Sequence, residues 1–415
     1  ATDRWTFVGR TVCMPGHEWK RGAAAIVGAA DMVSPTGELD GTPRAIETAV
    51  IGEALAGAGL TIADVDGVAS CVGGLLMPSV ELAEYLGVQA RWTDSTQIGG
   101  SSFEAHVEHA AAAIQLGLAE VVVVSYVSLP RSTAKRGGRG FSGAAGQADA
   151  AAAGVVAPRL EWEMPFGMQS PVGAYALAAS RHQALYGTTS EQLAQIAVDT
   201  RSWAALNPKA RYRDPLSVDD VLGSPMVASP LHRFDCCLVT DGAGALVLTS
   251  AERARDLAAT PAYILGAATA HSHQMISQMP DLTVTAGSVS GPKAFELAGV
   301  SASDVDVAEL YDSFTITVLL ALEDLGFCPK GEGGPFVADG KLGPGGSFPA
   351  QTSGGGLSYT HPGMFGMFLL VEAARQIQGA AGPRQVLDVD VAIAHGVGGV
   401  LSATSTVVLG TEATL

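Results

Sequence analysis

One nine-residue stretch is written twice in this chain. Ala58-Gly59-Leu60-Thr61-Ile62-Ala63-Asp64-Val65-Asp66 returns as Ala298-Gly299-Val300-Ser301-Ala302-Ser303-Asp304-Val305-Asp306. In each copy a helix ends at glycine, a Ser or Thr with a following Asp caps the next turn, and a strand begins. Such junctions are common, so one match alone carries little weight. A second correspondence adds to it. Gly99-Gly100 leads into an apolar helix and the strand Val121 to Ser125, while Gly354-Gly355-Gly356 and Gly363 lead into a helix from Phe368 to Gln378 and the strand Val391 to Ala394. Two similarly built halves imply a duplicated, pseudo-twofold domain.

The elements within each half predict α/β layering. Short β-branched or apolar runs (Ala25 to Val27, Val121 to Val124, Ala245 to Leu248, Tyr263 to Leu265, Val391 to Ile393) alternate with Ala-rich helical stretches such as Ile46 to Ala58 and Glu104 to Leu116. Runs without polar alternation belong to strands covered on both faces. The composition shifts at Leu129: an Arg-rich stretch is followed by an Ala/Gly-rich one and then by helices with Asn207-Pro208 and Asp214-Pro215 turns. We therefore expect an N-terminal half at 23–128 completed by 229–250, an insertion at 129–228 and a C-terminal half at 251–415. Residues 1–22 fit neither half and read as an extension.

The net charge of −17 gives no electrostatic support to binding nucleic acid or an anionic membrane surface. Any anionic ligand needs a local basic patch, and Arg131, Lys135, Arg136 and Arg139 are the candidates. The alternative for them is a solvated charged loop. Five cysteines, Cys13, Cys71, Cys236, Cys237 and Cys328, include only one close pair, which is adjacent rather than C-x-x-C spaced. Neither a disulfide framework nor a zinc site is indicated, and no other metal or cofactor. With no long apolar run, a reduced, cytoplasmic protein is the expectation.

Several motifs then occur in a fixed order: Tyr186-Gly187-Thr188-Thr189, Asn207-Pro208, Arg213-Asp214-Pro215, Asp235-Cys236-Cys237, Thr240-Asp241-Gly242-Ala243, Glu309-Leu310-Tyr311-Asp312-Ser313-Phe314, and Ser353-Gly354-Gly355-Gly356 before His361-Pro362-Gly363. This set resembles the thiolase superfamily, in its sterol-carrier-protein or lipid-transfer branch, from about Ala24 to Leu409. The resemblance implies two βαβαβαββ halves in five αβαβα layers, an insertion covering acyl-CoA, and a homodimer. The departures from the family are informative. Its nucleophilic cysteine corresponds to Gly100, and its second cysteine falls near His395 in Ala394-His395-Gly396. Tyr311 stands where thiolases carry Asn and the sterol-carrier branch often His, and Tyr359 precedes His361 by two residues. Covalent acyl transfer through those thiols is therefore lost.

What remains resembles the cysteine-less retro-aldolases of bacterial steroid side-chain degradation, which cleave a β-hydroxyacyl-CoA. That reaction needs a base for the β-hydroxyl proton, donors for the thioester oxygen and an acid for the α-carbon. Tyr311 and Tyr359 are the candidate proton carriers, with the order between them open. His361 and glycine amides at Gly100 and Gly396 are the candidate oxyanion donors, and His395 is the next candidate proton carrier after the two tyrosines. Each has a plainer reading: Tyr311 as a core tyrosine, Tyr359 as a loop aromatic, His361 and His395 as turn residues. The resemblance further implies a small zinc-ribbon and OB-fold acyl-CoA-binding partner. A non-catalytic acyl-CoA or lipid carrier is the alternative function, and nothing in the chain fixes the ring system of the acyl group.

Overall fold

The computed structural model describes residues 19–72, 75–137, 161–168, 171–257 and 259–415; Cys13 and Arg139 lie outside them. Eleven strands occur among these residues: β1 Ala24–Met32, β2 Gly67–Ser70, β3 Trp92–Asp94, β4 Val121–Ser128, β5 Met226–Ala228, β6 Leu231–His232, β7 Gly242–Ser250, β8 Ala262–His271, β9 Val307–Leu310, β10 Val391–Gly398 and β11 Ala403–Gly410. Nine form one sheet in the order β3-β2-β4-β7-β1-β8-β11-β10-β9, and β5 and β6 form a separate ribbon. The strands flanking β1 repeat in reverse those flanking β8. β2 and β4 are parallel, β4 and β7 antiparallel, β7 and β1 antiparallel; β9 and β10 are parallel, β10 and β11 antiparallel, β11 and β8 antiparallel. The halves meet at a short antiparallel seam, Ala25 opposite Tyr263 and Ile26 opposite Ala262.

The repeated stretch occupies equivalent places down to single hydrogen bonds. Asp64 accepts from the Thr61 N–H at 2.9 Å and Asp304 from the Ser301 N–H at 2.7 Å. Asp66 accepts from the N–H groups of Glu120 and Val121 at 2.8 and 2.9 Å, pinning β4 beside β2. Asp306 does the same for Asp390 and Val391, both at 2.9 Å, beside β10. An aspartate that satisfies two strand-end donors fixes where the parallel neighbour starts, which explains why the pattern repeats as a sequence and not only as a shape.

Layering follows from which faces the helices cover. Helix α1 (Pro43–Gly57) lies on β1, β4 and β7 of the first half, and α2 (Pro78–Leu86) on β2. Helix α3 (Ser102–Gln115) packs on β4 and β7 and also on β8, β10 and β11. The connection from β4 to β7 carries α4 (Pro130–Lys135), α5 (Pro171–Tyr186) and α6 (Ser190–Leu206). Helix α7 (Gly287–Ala298) covers β8 and β11 from outside, and α8 (Thr315–Asp324) packs against α6. Helix α9 (Gly366–Ile377) touches β9 and β10 as well as β1 and β7, and lies against α3. With α3 and α9 shared by both halves, they form the middle of five layers. Val121 to Val124 are wholly buried, as strands covered on both faces require. No helix among the described residues is long and apolar enough to cross a membrane.

Candidate active site

The site begins where two glycine turns press together. Gly99, at φ +73°, opens the turn before α3, and a Cβ there would meet the backbone of Gly398 at 2.9 Å. The turn from the first half therefore lies directly against the end of β10 from the second. Beside them opens a cavity of about 440 Å3 whose walls include Gly100, Pro130, Val172, Tyr311, Phe314 and Val397. It is mostly apolar, with a few converging polar groups, as small-molecule sites usually are. Gly100 faces the ring of Tyr311: a Cβ at position 100 would stand 2.6 Å from its Cζ and would also meet the Val397 carbonyl. The tyrosine ring fills the space that a side chain at 100 would need.

Tyr311 sits at the end of β9, its backbone N–H donating to the His395 carbonyl at 3.0 Å. Its hydroxyl accepts from the Phe365 N–H at 3.0 Å and lies 3.1 Å from His361 Nε2. The backbone bond occupies the phenol oxygen as acceptor, so its own proton is free for Nε2. Burial lowers His361 to about 4 and holds Tyr311 well above 10, so both are neutral near pH 7. His361 is held by its backbone N–H donating to Thr240 Oγ1 at 2.8 Å and by its ring stacking on Phe365. Asp312 accepts from the N–H groups of Gly356 and Leu357 at 2.7 and 3.0 Å, which ties the turn before His361 to the residue after Tyr311.

The other candidates from sequence lie elsewhere. Tyr359 does not line the cavity. Its hydroxyl donates to Asp31, which is also paired with Arg375 and with Lys209 at 3.2 Å; the two cations hold Asp31 down at about 2 against the opposing effect of burial. His395 faces the outer layer: Nδ1 is 2.8 Å from Thr406 Oγ1, and the ring packs against Gly287 at the start of α7. Strand alternation explains this, since neighbouring residues on β10 point to opposite faces. Gly396 looks to the other face, but a Cβ there would run into the buried Glu104 carboxyl and Gly396 does not line the cavity, whose wall is Val397 and Gly399. Arg131 and Lys135 pair with Glu38 at 3.3 and 3.0 Å, and Arg136 is exposed. None of these three lines the cavity, although Pro130, the first residue of their helix, does.

Comparison with known proteins places this geometry. Residues 268–411 match the family described as Thiolase C-terminal domain-like. The steroid side-chain-cleaving aldolase of Thermomonospora curvata is 35% identical over 409 residues, covering 94% of this chain and 98% of that protein. The chain belongs to the thiolase-like family. Another relative, the 17-hydroxy-3-oxo-4-pregnene-20-carboxyl-CoA lyase of Mycobacterium tuberculosis, is 36% identical over 87% of this chain and 92% of its own. Among solved structures, the Ltp2-ChsH2(DUF35) aldolase superposes with a TM-score of 0.83 at 34% identity, over 94% of this chain and 98% of that one.

For a thiolase-like protein the state of the thiols matters. Cys236 and Cys237 do line the cavity. Burial pushes Cys236 up to about 12 and Cys237 higher still, and it raises Cys71 and Cys328 to about 12 as well. A buried thiol of that kind is a small apolar group and not a nucleophile at neutral pH. Two residues at this site escaped the sequence reading. Tyr175, between Ala174 and Ala176 on α5, reaches the cavity wall, and Asp312 fastens the His361 turn. Asp312 stood inside a recognised motif; Tyr175 stood in none, and only packing reveals it.

Proposed function

We propose that this chain is a carbon–carbon lyase that cleaves a β-hydroxyacyl-CoA by a retro-aldol reaction. The acyl group we assign is a steroid side chain with a tertiary hydroxyl, released as a ketone and a shorter acyl-CoA such as propionyl-CoA. The names of the aldolase and lyase relatives, which span nearly the whole chain, support this reading. The observation that carries it is the Tyr311 ring in place of a side chain at 100, with its hydroxyl aimed at a neutral His361.

In the proposed step the β-hydroxyl gives its proton to Tyr311 Oη as Tyr311 passes its own to His361 Nε2. The β-oxygen electrons form the ketone, and the carbon–carbon bond pair moves to the α-carbon and thioester oxygen. We assign that oxygen to the backbone at Gly99 and Gly100. Burial that keeps His361 at about 4 makes its imidazolium a strong acid, ready to return the proton through Tyr311 to the α-carbon. The hydroxyl proton ends on carbon, and none is gained or lost. We place the CoA phosphates near Arg131, Lys135 and Arg136, and give Tyr359 the task of holding the His361 loop through Asp31. The second component of the Ltp2-ChsH2(DUF35) aldolase supports a partner here too, for which we propose an acyl-CoA-binding protein with a zinc ribbon and an OB-fold. We further propose a homodimer and a cytoplasmic location.

The test is mass spectrometry of 17-hydroxy-3-oxo-4-pregnene-20-carboxyl-CoA, the ester named by the lyase relative, after incubation with the chain alone and with a candidate partner. A 17-ketone and propionyl-CoA are expected. Tyr311→Phe keeps the ring and is expected to slow turnover by roughly two to four orders of magnitude while binding survives. Saturable binding without product in either condition would favour the carrier, and a Tyr311→Phe variant at wild-type rate would remove Tyr311 from the chemistry.

A further inference from the structure

The lyase reading leaves one phenol in the cavity unused. Tyr175 comes from α5, in the connection between β4 and β7, and is buried with its ring stacked on Phe314 at 4.4 Å between centroids. Phe314 and Tyr311 belong to the same short segment after β9, so stacking on one brings Tyr175 beside the other; both tyrosines line the same cavity. The packing settles where the Tyr175 ring lies and sets its hydroxyl beside the Ser313 side chain and the Leu401 backbone. It reaches the Gly399 carbonyl only at 3.5 Å, the outer limit of a hydrogen bond. Tyr126 makes the contrast: its equally buried hydroxyl donates to the Pro362 carbonyl at 2.7 Å.

A buried phenol with a loose acceptor has its proton to offer to something better. Gly399 belongs to the turn that meets Gly99, and both glycines line the cavity, so the hydroxyl lies on the side of the cavity where the two turns press together. Val172 and Pro171, from the first turn of the same helix, add apolar wall next to it. The acyl group would meet a mostly apolar wall there, with the Tyr175 and Ser313 hydroxyls among its few polar groups.

We infer that Tyr175 is a second substrate-contacting hydroxyl, donating to the β-oxygen of the acyl group while that oxygen gives its proton to Tyr311. The inference rests on the lyase reading. It assigns the two phenols different tasks: Tyr311 exchanges a proton and Tyr175 keeps its own, stabilising the alkoxide and then the ketone as the carbon–carbon bond breaks. Burial raises Tyr175 to about 12, so it stays a donor throughout the neutral range.

The test compares two ligands on one variant. Wild type and Tyr175→Phe are measured for turnover of 17-hydroxy-3-oxo-4-pregnene-20-carboxyl-CoA and for competitive binding of the same ester lacking the 17-hydroxyl. Tyr175→Phe is expected to lower kcat roughly 10- to 100-fold and to leave binding of the deoxy ester within about twofold, because only the hydroxylated ligand loses a partner. Tyr175→Leu, which also removes the stacking on Phe314, should weaken both ligands. The comparison within one variant separates a lost contact from a misfolded fraction. Equal losses for the two ligands in Tyr175→Phe, or no loss in kcat, would overturn the inference and leave the lyase reading standing. Failure of the wild type to cleave the hydroxylated ester with or without a partner would overturn both.

Discussion

A side chain at position 100 and the ring of Tyr311 cannot coexist. Their separation, 2.6 Å from a Cβ to Cζ, is closer than real Cβ contacts come, and the Val397 carbonyl blocks the other direction. Gly100→Cys is therefore expected to give no thiolysis of a 3-ketoacyl-CoA and no acyl adduct by mass spectrometry, and to depress retro-aldol turnover by displacing Tyr311. Appearance of an acyl-cysteine at 100 would show that the ring yields more easily than its bond to Phe365 implies. Both residues were legible in the order of motifs along the chain. Their mutual exclusion was not, because it depends on the first half's turn lying against the end of β10. The same limit explains Tyr359. Two residues before His361, it reads as a neighbour in the chemistry, yet the carboxylate that holds its hydroxyl, Asp31, comes from β1 at the other end of the chain. Spacing along a loop says nothing about a partner more than three hundred positions away.

Among the elements, the turn at 354–359 decides where His361 points. Gly354 and Gly355 adopt positive φ, and a Cβ on Gly355 would strike Asp312, so the glycines let the backbone wrap closely around that carboxylate. Asp312 fastens two consecutive N–H groups of the turn, and burial lifts it to about 7 in spite of them. An amide can accept from one of those donors but turns a donor toward the other. Asp312→Asn should thus lose about 1–3 kcal/mol of stability, visible as a lower Tm, and slow turnover through a displaced His361 more than it weakens acyl-CoA binding. A wild-type Tm together with wild-type turnover would show that the turn holds itself. Element placement was the most readable level of the sequence, since the Asp66 and Asp306 junctions are local and self-sufficient. The direction of side chains from β10 was not, because one position of error along a strand exchanges His395 for its neighbour and one face of the sheet for the other.

At the scale of the whole molecule, β3 ends the sheet with an edge that is unpaired among the described residues, and Leu76, Met77 and Tyr85, in or just before the helix α2 that packs on β3, are exposed, Leu76 at 95%. An open strand edge beside bare apolar side chains is an association surface unless something covers it. A second copy of this chain is the occupant we propose. Sedimentation should give twice the chain mass, and Leu76→Asp should shift it toward the monomer with the fold intact; a wild-type monomer at micromolar concentration would rule the dimer out. Within one chain, the cavity already depends on a comparable pairing. Gly99 and Gly100 come from the first half, while Tyr311, His361 and Val397 come from the second. In evolutionary terms, a gene encoding one half alone could have formed such a cavity only by joining two identical products, each turn and each wall then bearing the same residues. Within one continuous chain the two halves are free of that sameness. One could reduce its turn to bare glycine while the other acquired a phenol to occupy the space.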